Sequence, residues 1–407
     1  MEMETTSVNN LQTLRDFIER YFFIERVTEG KPADKWKVKY LGKLRFPDRS
    51  EWAFEEMENK AAQYNFSILL VEEQDKQAVY ILDAFPDKKK SNPKINLFLF
   101  IITLISVLVT GGLFSSQGEM PDKFDLNALL LIAKNGWPFA VAIIVILGAH
   151  EMGHYIAGKK HGVDVTLPYF IPMPVISPFG TMGAFINMRS IPKNRKQLFD
   201  IAIAGPLAGI IIAIPVTLLG LYLSRIEPLP LKLPANIGLQ MEGNSLLYLG
   251  LKYIVFGELL PQPMDYGGLN PILYWIRYFF TGQPSPLGGY DVMIHPVAWA
   301  GWAGILVTAL NLVPIGQLDG GHILNAVFGQ KVAQSLTPVF LFLMGILGFA
   351  WAGWWFWALL LIFLNRFPSQ MRDSISKLDP TRKKWALLML IVFILVFTPV
   401  PIVLLTD

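Results

Sequence analysis

Apolar and polar positions divide the chain into two unlike parts. Up to about Lys90 charges are dense, and no apolar run is long enough to cross roughly 30 Å of hydrocarbon. Within that part Trp36 to Leu44 alternates with a period of two and predicts a strand. Ser50 to Tyr64 carries helical spacing behind a candidate Ser cap, and Phe66 to Val71 and Ala78 to Leu82 predict two more strands. Beyond Lys90 come apolar runs of membrane-spanning length: Leu97 to Phe114, Gly136 to Gly158 (which contains the His-Glu pair), Ile201 to Leu223, Val292 to Val313 and Ala386 to Leu405. Leu336 to Leu364 would be roughly 44 Å long as one helix. A break is therefore placed near Gly353, where Trp351, Trp354, Trp355 and Trp357 suit an interfacial turn. Leu246 to Phe256 and Ile272 to Phe280 are weaker segments that fit either interfacial helices or a pair of short spans. The expected fold is a polytopic α-helical membrane protein of about seven to eight spans. A small soluble α+β domain at 1–92 precedes a transmembrane domain at 93–407.

Composition agrees with this division. A chain with 53% hydrophobic and only 16% charged residues over 407 positions belongs largely in a lipid bilayer. The net charge of +3 lies in short clusters and leaves no electrostatic footprint for nucleic acid. Basic residues gather at Lys88, Lys89, Lys90 and Lys94, between Lys159 and Lys196, and between Arg366 and Lys384. With the break at Gly353 all three groups fall on one side of the membrane, which the positive-inside rule makes cytoplasmic. The N-terminus shows no basic region followed by an apolar core. No cleaved leader is expected, and the expected location is the cell membrane of a prokaryote.

Candidate chemistry sits in the second apolar run. His150-Glu151-Met152-Gly153-His154 continues the helix of Ile143 to Ala149 without a break. Two His four apart share one helix face and can reach one Zn²⁺, while the Glu between them is placed as a general base. Ionisable side chains in an apolar span cost about 2.5–3.5 kcal/mol each and so mark function. With no Cys in the chain, the remaining ligands must be His or carboxylate. His161 comes one position too late for the extended metzincin pattern and reads as a solvated surface His. Asp319 is the better third ligand. It follows Asn311-Leu-Val-Pro314, where Pro314, Gly320 and Gly321 break the helix at membrane depth, a conformation tolerated only in a protein-lined cavity. His322 either faces that cavity or is an interfacial polar residue.

The two motifs, with Gly205-Pro206-Leu207-Ala208-Gly209 between them, resemble the site-2 protease family over roughly Trp137 to Phe328. The soluble N-terminal domain makes the chain most similar to that family's plastid and prokaryotic branch. The resemblance implies an intramembrane zinc metalloprotease with its core at about 136–328. It implies Zn²⁺ on His150, His154 and Asp319, with Glu151 activating water and Asn311 positioning the scissile peptide. Its substrates would be membrane-embedded proteins, and the N-terminal domain is a candidate regulator site. The Pro- and Gly-rich stretch Leu167 to Arg189 resembles the family's membrane-associated hairpin, whose edge would present a substrate strand. The residues alone also fit a proton or ion transporter, or a silent membrane scaffold.

Overall fold

The computed structural model describes residues 2–31, 33–73, 75–85, 92–115, 125–174, 176–233, 239–364 and 370–405. Lys88, Lys89, Lys90 and Arg366, used above to orient the chain, lie outside the described residues. The N-terminal part runs α1 (Glu2–Ile18), β1 (Phe22–Glu29), β2 (Val38–Leu44), α2 (Ser50–Gln63), β3 (Phe66–Glu73) and β4 (Lys76–Asp83). Its strands form one antiparallel sheet in the order β1-β2-β4-β3. Leu14 and Ile18 of α1, and Ala53, Phe54, Met57 and Ala61 of α2, recur at helical spacing and close over Tyr40, Ile68, Leu70, Val79 and Ile81 of the sheet. Ser50 does not cap α2. Arg49 holds the cap position without a side-chain bond, and the Ser50 hydroxyl lies 3.2 Å from that of Ser376.

The remainder runs α3 (Pro93–Ser115), α4 (Leu126–Lys160), β5 (Tyr169–Pro172), β6 (Thr181–Phe185), α5 (Arg195–Tyr222), β7 (Arg225–Pro228) and β8 (Leu239–Glu242). It continues with α6 (Leu246–Phe256), α7 (Pro271–Thr281), β9 (Tyr290–Met293), α8 (Pro296–Asn311), α9 (Asp319–Phe328), α10 (Gln330–Leu347), α11 (Gly353–Leu364), α12 (Pro380–Val396) and β10 (Ile402–Leu405). Among the described residues, α3, α4, α5 and α10 are long and apolar enough to cross a membrane, and α6, α8 and α11 are shorter apolar helices.

Several expected boundaries shift for physical reasons. Helix α4 starts ten residues before Gly136 because Lys134 interrupts the uncharged run without interrupting the helix, and Asp125 caps its first turn by accepting from the Ala128 N–H. Val292 and Met293 belong to β9, paired with β7; the helix begins only at Pro296, capped by His295. The last run splits as well. Helix α12 stops at Val396, and Ile402–Leu405 pairs with β8 beyond two prolines. The break near Gly353 is present between α10 and α11, where the Trp354 indole donates to the Pro399 carbonyl. The weaker segments at 246–256 and 272–280 form α6 and α7, two separate helices that each end at a left-handed Gly, Gly257 and Gly282.

Three features position the site. Helices α3, α4, α5 and α8 share one core around Ile143, Ile146, Phe199, Ala213 and Trp302. The hairpin β5–β6 lies along α3: Asn96 donates to the Leu167 and Pro168 carbonyls, Phe100 packs edge-on against Phe170, and Ser106 donates to the Gly180 carbonyl. From Asn96 to Ser106 a helix rises about 15 Å, so the hairpin penetrates the bundle. The N-terminal sheet is joined to α5 through 372–374. The Leu70 N–H donates to the Arg372 carbonyl and the Asp373 N–H to the Lys193 carbonyl, just before Asn194 caps α5. Acidic residues of α2 reinforce this junction: Glu51 meets Lys196, Glu55 meets Lys193, and Glu58 meets Arg372.

Candidate metal centre

Helix α4 carries His150, Glu151 and His154 on one face, and all three are buried. Opposite them α8 ends at Asn311, the chain turns through Pro314, and α9 begins at Asp319. The Asp319 carboxylate does not cap its own helix. It points across to α4, with Oδ2 3.3 Å from His150 Nε2 and Oδ1 3.3 Å from His154 Nε2. The two Nε2 atoms are 3.2 Å apart. His161 is not among these donors, so the set expected from the sequence comes together as His150, His154 and Asp319.

The donor chemistry fits a cation. His154 Nδ1 lies 2.7 Å from the Ile201 carbonyl, which can only accept, so the proton sits on Nδ1 and the Nε2 lone pair faces the cluster. Two ring nitrogens and a carboxylate, all able to act as acceptors, converge in a buried space and need a shared positive charge. For zinc at about 2.0–2.1 Å from tetrahedral donors, the ligand atoms are about 3.3–3.4 Å apart. The separations of 3.2, 3.3 and 3.3 Å match that edge.

Close helix approach makes the arrangement possible. A Cβ on Gly153 would lie 2.3 Å from the Ala204 carbonyl oxygen, and one on Gly205 only 2.0 Å from His154 Nε2. These two positions let α4 and α5 touch and leave room for the His154 ring over α5. Gly205 thus makes room for the His154 ring at the closest approach of α4 and α5.

A cavity of about 200 Å³ opens beside the cluster, roomy enough for several water molecules. Its walls include Glu151, Asn311 and His322 together with Ala184, Phe185 and Ile186 from the hairpin. The Ile186 backbone N–H lies beside the Glu151 carboxylate, and the Asn311 amide nitrogen lies 3.3 Å from His150 Nε2. His322 faces this cavity, and among the described residues its Nδ1 has no hydrogen-bond partner. His161 departs from the expected solvated surface His. It is mostly buried and lies 2.9 Å from Asp200 of α5, because the end of α4 packs against that helix. The Ile201 carbonyl and the Ile186 N–H were not foreseeable, since any residue type supplies a backbone group. Asp200, a lone carboxylate at the head of an apolar run, was a visible signal.

Fold and site together define a candidate metal centre among membrane-type helices, next to the edge of an inserted hairpin. The profile of peptidase family M50 matches residues 138–351, just over half of the chain, and the chain belongs to that family of membrane peptidases. Among curated proteins it is similar to the probable zinc metalloprotease EGY2, chloroplastic, of Arabidopsis thaliana, with 28% identity over 286 residues, 70% of this chain and 45% of the relative. The EGY2 protein of Oryza sativa subsp. indica is 27% identical over 343 residues, 83% and 56% of the two chains. The probable zinc metalloprotease EGY1, chloroplastic, of Oryza sativa subsp. japonica is 29% identical over 325 residues, 76% and 50%. The chain spans about half the length of these relatives. Their names place them in chloroplasts and lend no support to the prokaryotic cell membrane expected above. No solved structure matches the chain.

Proposed function

We propose that this chain is a zinc-dependent intramembrane endopeptidase that cuts membrane-anchored proteins within or near their transmembrane segments. The observation that carries the proposal is the convergence of buried His150 and His154 with the partly buried Asp319, spaced like a zinc ligand set with Glu151 beside it. When bound there, zinc supplies Lewis acidity towards water and a peptide carbonyl. Glu151 takes a proton from the attacking water and delivers it to the departing peptide nitrogen. Asn311 donates a hydrogen bond to the carbonyl oxygen as negative charge develops on it. A helical substrate must unwind first, because its peptide groups are bonded to one another. Among the described residues β6 pairs only with β5, so its other edge is available to hold the unwound strand by backbone pairing.

The proposal extends to topology. Seven to eight spans cross the bilayer in a transmembrane domain at 93–407, and a separate domain at 1–92 lies on the side where the catalytic cavity opens. The junction of that domain with the head of α5 and with 372–374 supports this sidedness, because it gathers Lys193, Lys196 and Arg372 at one face. That side is cytoplasmic or its topological equivalent, and the exposed surface of the N-terminal domain is offered to a regulator. The test is incubation of detergent-purified protein with a single-span substrate of low helix stability, followed by mass mapping of the products. Cuts inside or beside the apolar segment that disappear in Glu151→Gln are expected; cuts that persist in that variant would overturn the reading.

A further inference from the structure

Asp200 joins three helices at one carboxylate. Arg382, in the first turn of α12, donates from Nε to Oδ1 at 2.8 Å and from Nη2 to Oδ2 at 2.5 Å, a two-pronged pair. The third arm of the same guanidinium holds Asp379, the residue that caps α12. His161, at the end of α4, contributes Nε2 to Asp200 Oδ2 at 2.9 Å. The next residue along α5 is Ile201, whose carbonyl receives the His154 Nδ1 proton.

These contacts close a ring. It runs from His154 to the Ile201 carbonyl, back one residue to Asp200, across to His161, and up two turns of α4 to His154. Sliding α5 by one residue would move the Ile201 carbonyl by about 1.5 Å and 100° and break both crossings at once. The side chains of His161, Asp200 and Arg382 are each about a quarter exposed, so the ion pairs contribute modestly to stability. Their directional effect is larger, because the carbonyl that orients a metal-binding imidazole sets its tautomer and its aim.

We propose that Asp200, His161 and Arg382 are positioning residues that hold the Ile201 carbonyl against His154. The last described helix, α12, thereby takes part in control of the metal site although it supplies no donor. The zinc arm of the test rests on the zinc reading above; the tautomer arm does not.

The experiment compares full-length wild type with Arg382→Gln and Asp200→Asn in detergent, using Lys383→Gln as a control from the same helical turn. Nitrogen-15 spectra of the metal-free protein, labelled at its five His, report the His154 tautomer. Competition with a chelator reports the zinc dissociation constant. In both test variants the Nδ1–H form of His154 gives way to a mixture, and zinc binds roughly tenfold or more weakly. The control matches wild type, and melting temperatures stay close together. An unchanged His154 spectrum and a zinc constant within about twofold of wild type in Arg382→Gln would overturn the proposal. If Asp200→Asn fails to fold, Arg382→Gln decides alone, since it leaves α5 intact. If wild type takes up no zinc, the zinc reading falls and the tautomer comparison still decides this one.

Discussion

Adding a single methyl group at Gly205 should disable the metal centre. An ideal Cβ there lies 2.0 Å from His154 Nε2 and 2.4 Å from both neighbouring ring carbons, whereas ordinary contact begins near 3.4 Å. The atom struck is the donor itself, so the ring must retreat by about 1.4 Å, against a tolerance of about 0.2 Å for a ligand distance. The Ile201 hydrogen bond to the same ring is lost with that movement. Gly205→Ala is thus expected to weaken zinc binding by about 100-fold or more. Ala is the better helix former by about 1 kcal/mol, so loss of metal should not come from loss of helix. Gly209→Ala is the internal control. Its Cβ would lie 3.1 Å from His150 Nδ1, a clash relieved by a few tenths of an ångström, and zinc affinity should stay within about tenfold of wild type. The assay is competition against a fluorescent chelator in detergent, with melting temperature as the fold check. A Gly205→Ala protein that binds zinc within about threefold of wild type would refute the geometry of α4 on α5.

Asn311→Ala should keep zinc and KM while kcat falls by about 100-fold, as when one donor to a developing oxyanion is removed; equal loss in KM would assign Asn311 to binding instead. Glu58→Ala removes the partner of Arg372 and Lys193 where the N-terminal sheet meets α5, worth about 1 kcal/mol for partly exposed pairs. Amide exchange at Leu70 and Asp373 should then rise roughly fivefold, and unchanged exchange would show that the backbone ladder suffices. On the opposite side of the molecule, burial pushes the Asp291 carboxyl up to about 6, against the pull of Lys252 at 3.6 Å. A carboxyl raised in the folded state stabilises it fully below about pH 4, and that contribution is lost as pH rises through about 6. The melting-temperature advantage of wild type over Asp291→Asn should therefore shrink from pH 4 to pH 7. A flat difference across that window would exclude the assignment.

The candidate metal site was legible in the sequence because its chemistry is costly where it stands. His150, Glu151, His154 and Asp319 interrupt apolar surroundings, and the i, i+4 spacing fixes a shared face whatever the rest of the fold does. The membrane class followed from run length, and the break at Gly353 from the length of hydrocarbon to be crossed. Boundaries were less visible, since uncharged runs and helices end for different reasons: Lys134 lies inside α4, while Val292 lies in a strand. Helix α1 and strand β1 were missed because, among the side chains described there, Leu14 and Ile18 of one and Phe22 of the other are the buried positions, too few to show a period. Apart from the lone carboxylate of Asp200, the contacts around the site were hidden. The Ile201 carbonyl and the Ile186 N–H come from the backbone, and the His161–Asp200–Arg382 junction joins residues up to 221 positions apart, from 161 to 382.

The central claim is that His150, His154 and Asp319 hold zinc beside a working Glu151. It is tested most directly by measuring zinc content and substrate cleavage on the same purified preparations of wild type, Glu151→Gln and Asp319→Ala. The account predicts about one zinc per chain and cleavage for wild type, zinc without cleavage for Glu151→Gln, and neither for Asp319→Ala. Wild type that stays free of zinc under metal-replete conditions, or Asp319→Ala that keeps both metal and activity, would contradict it.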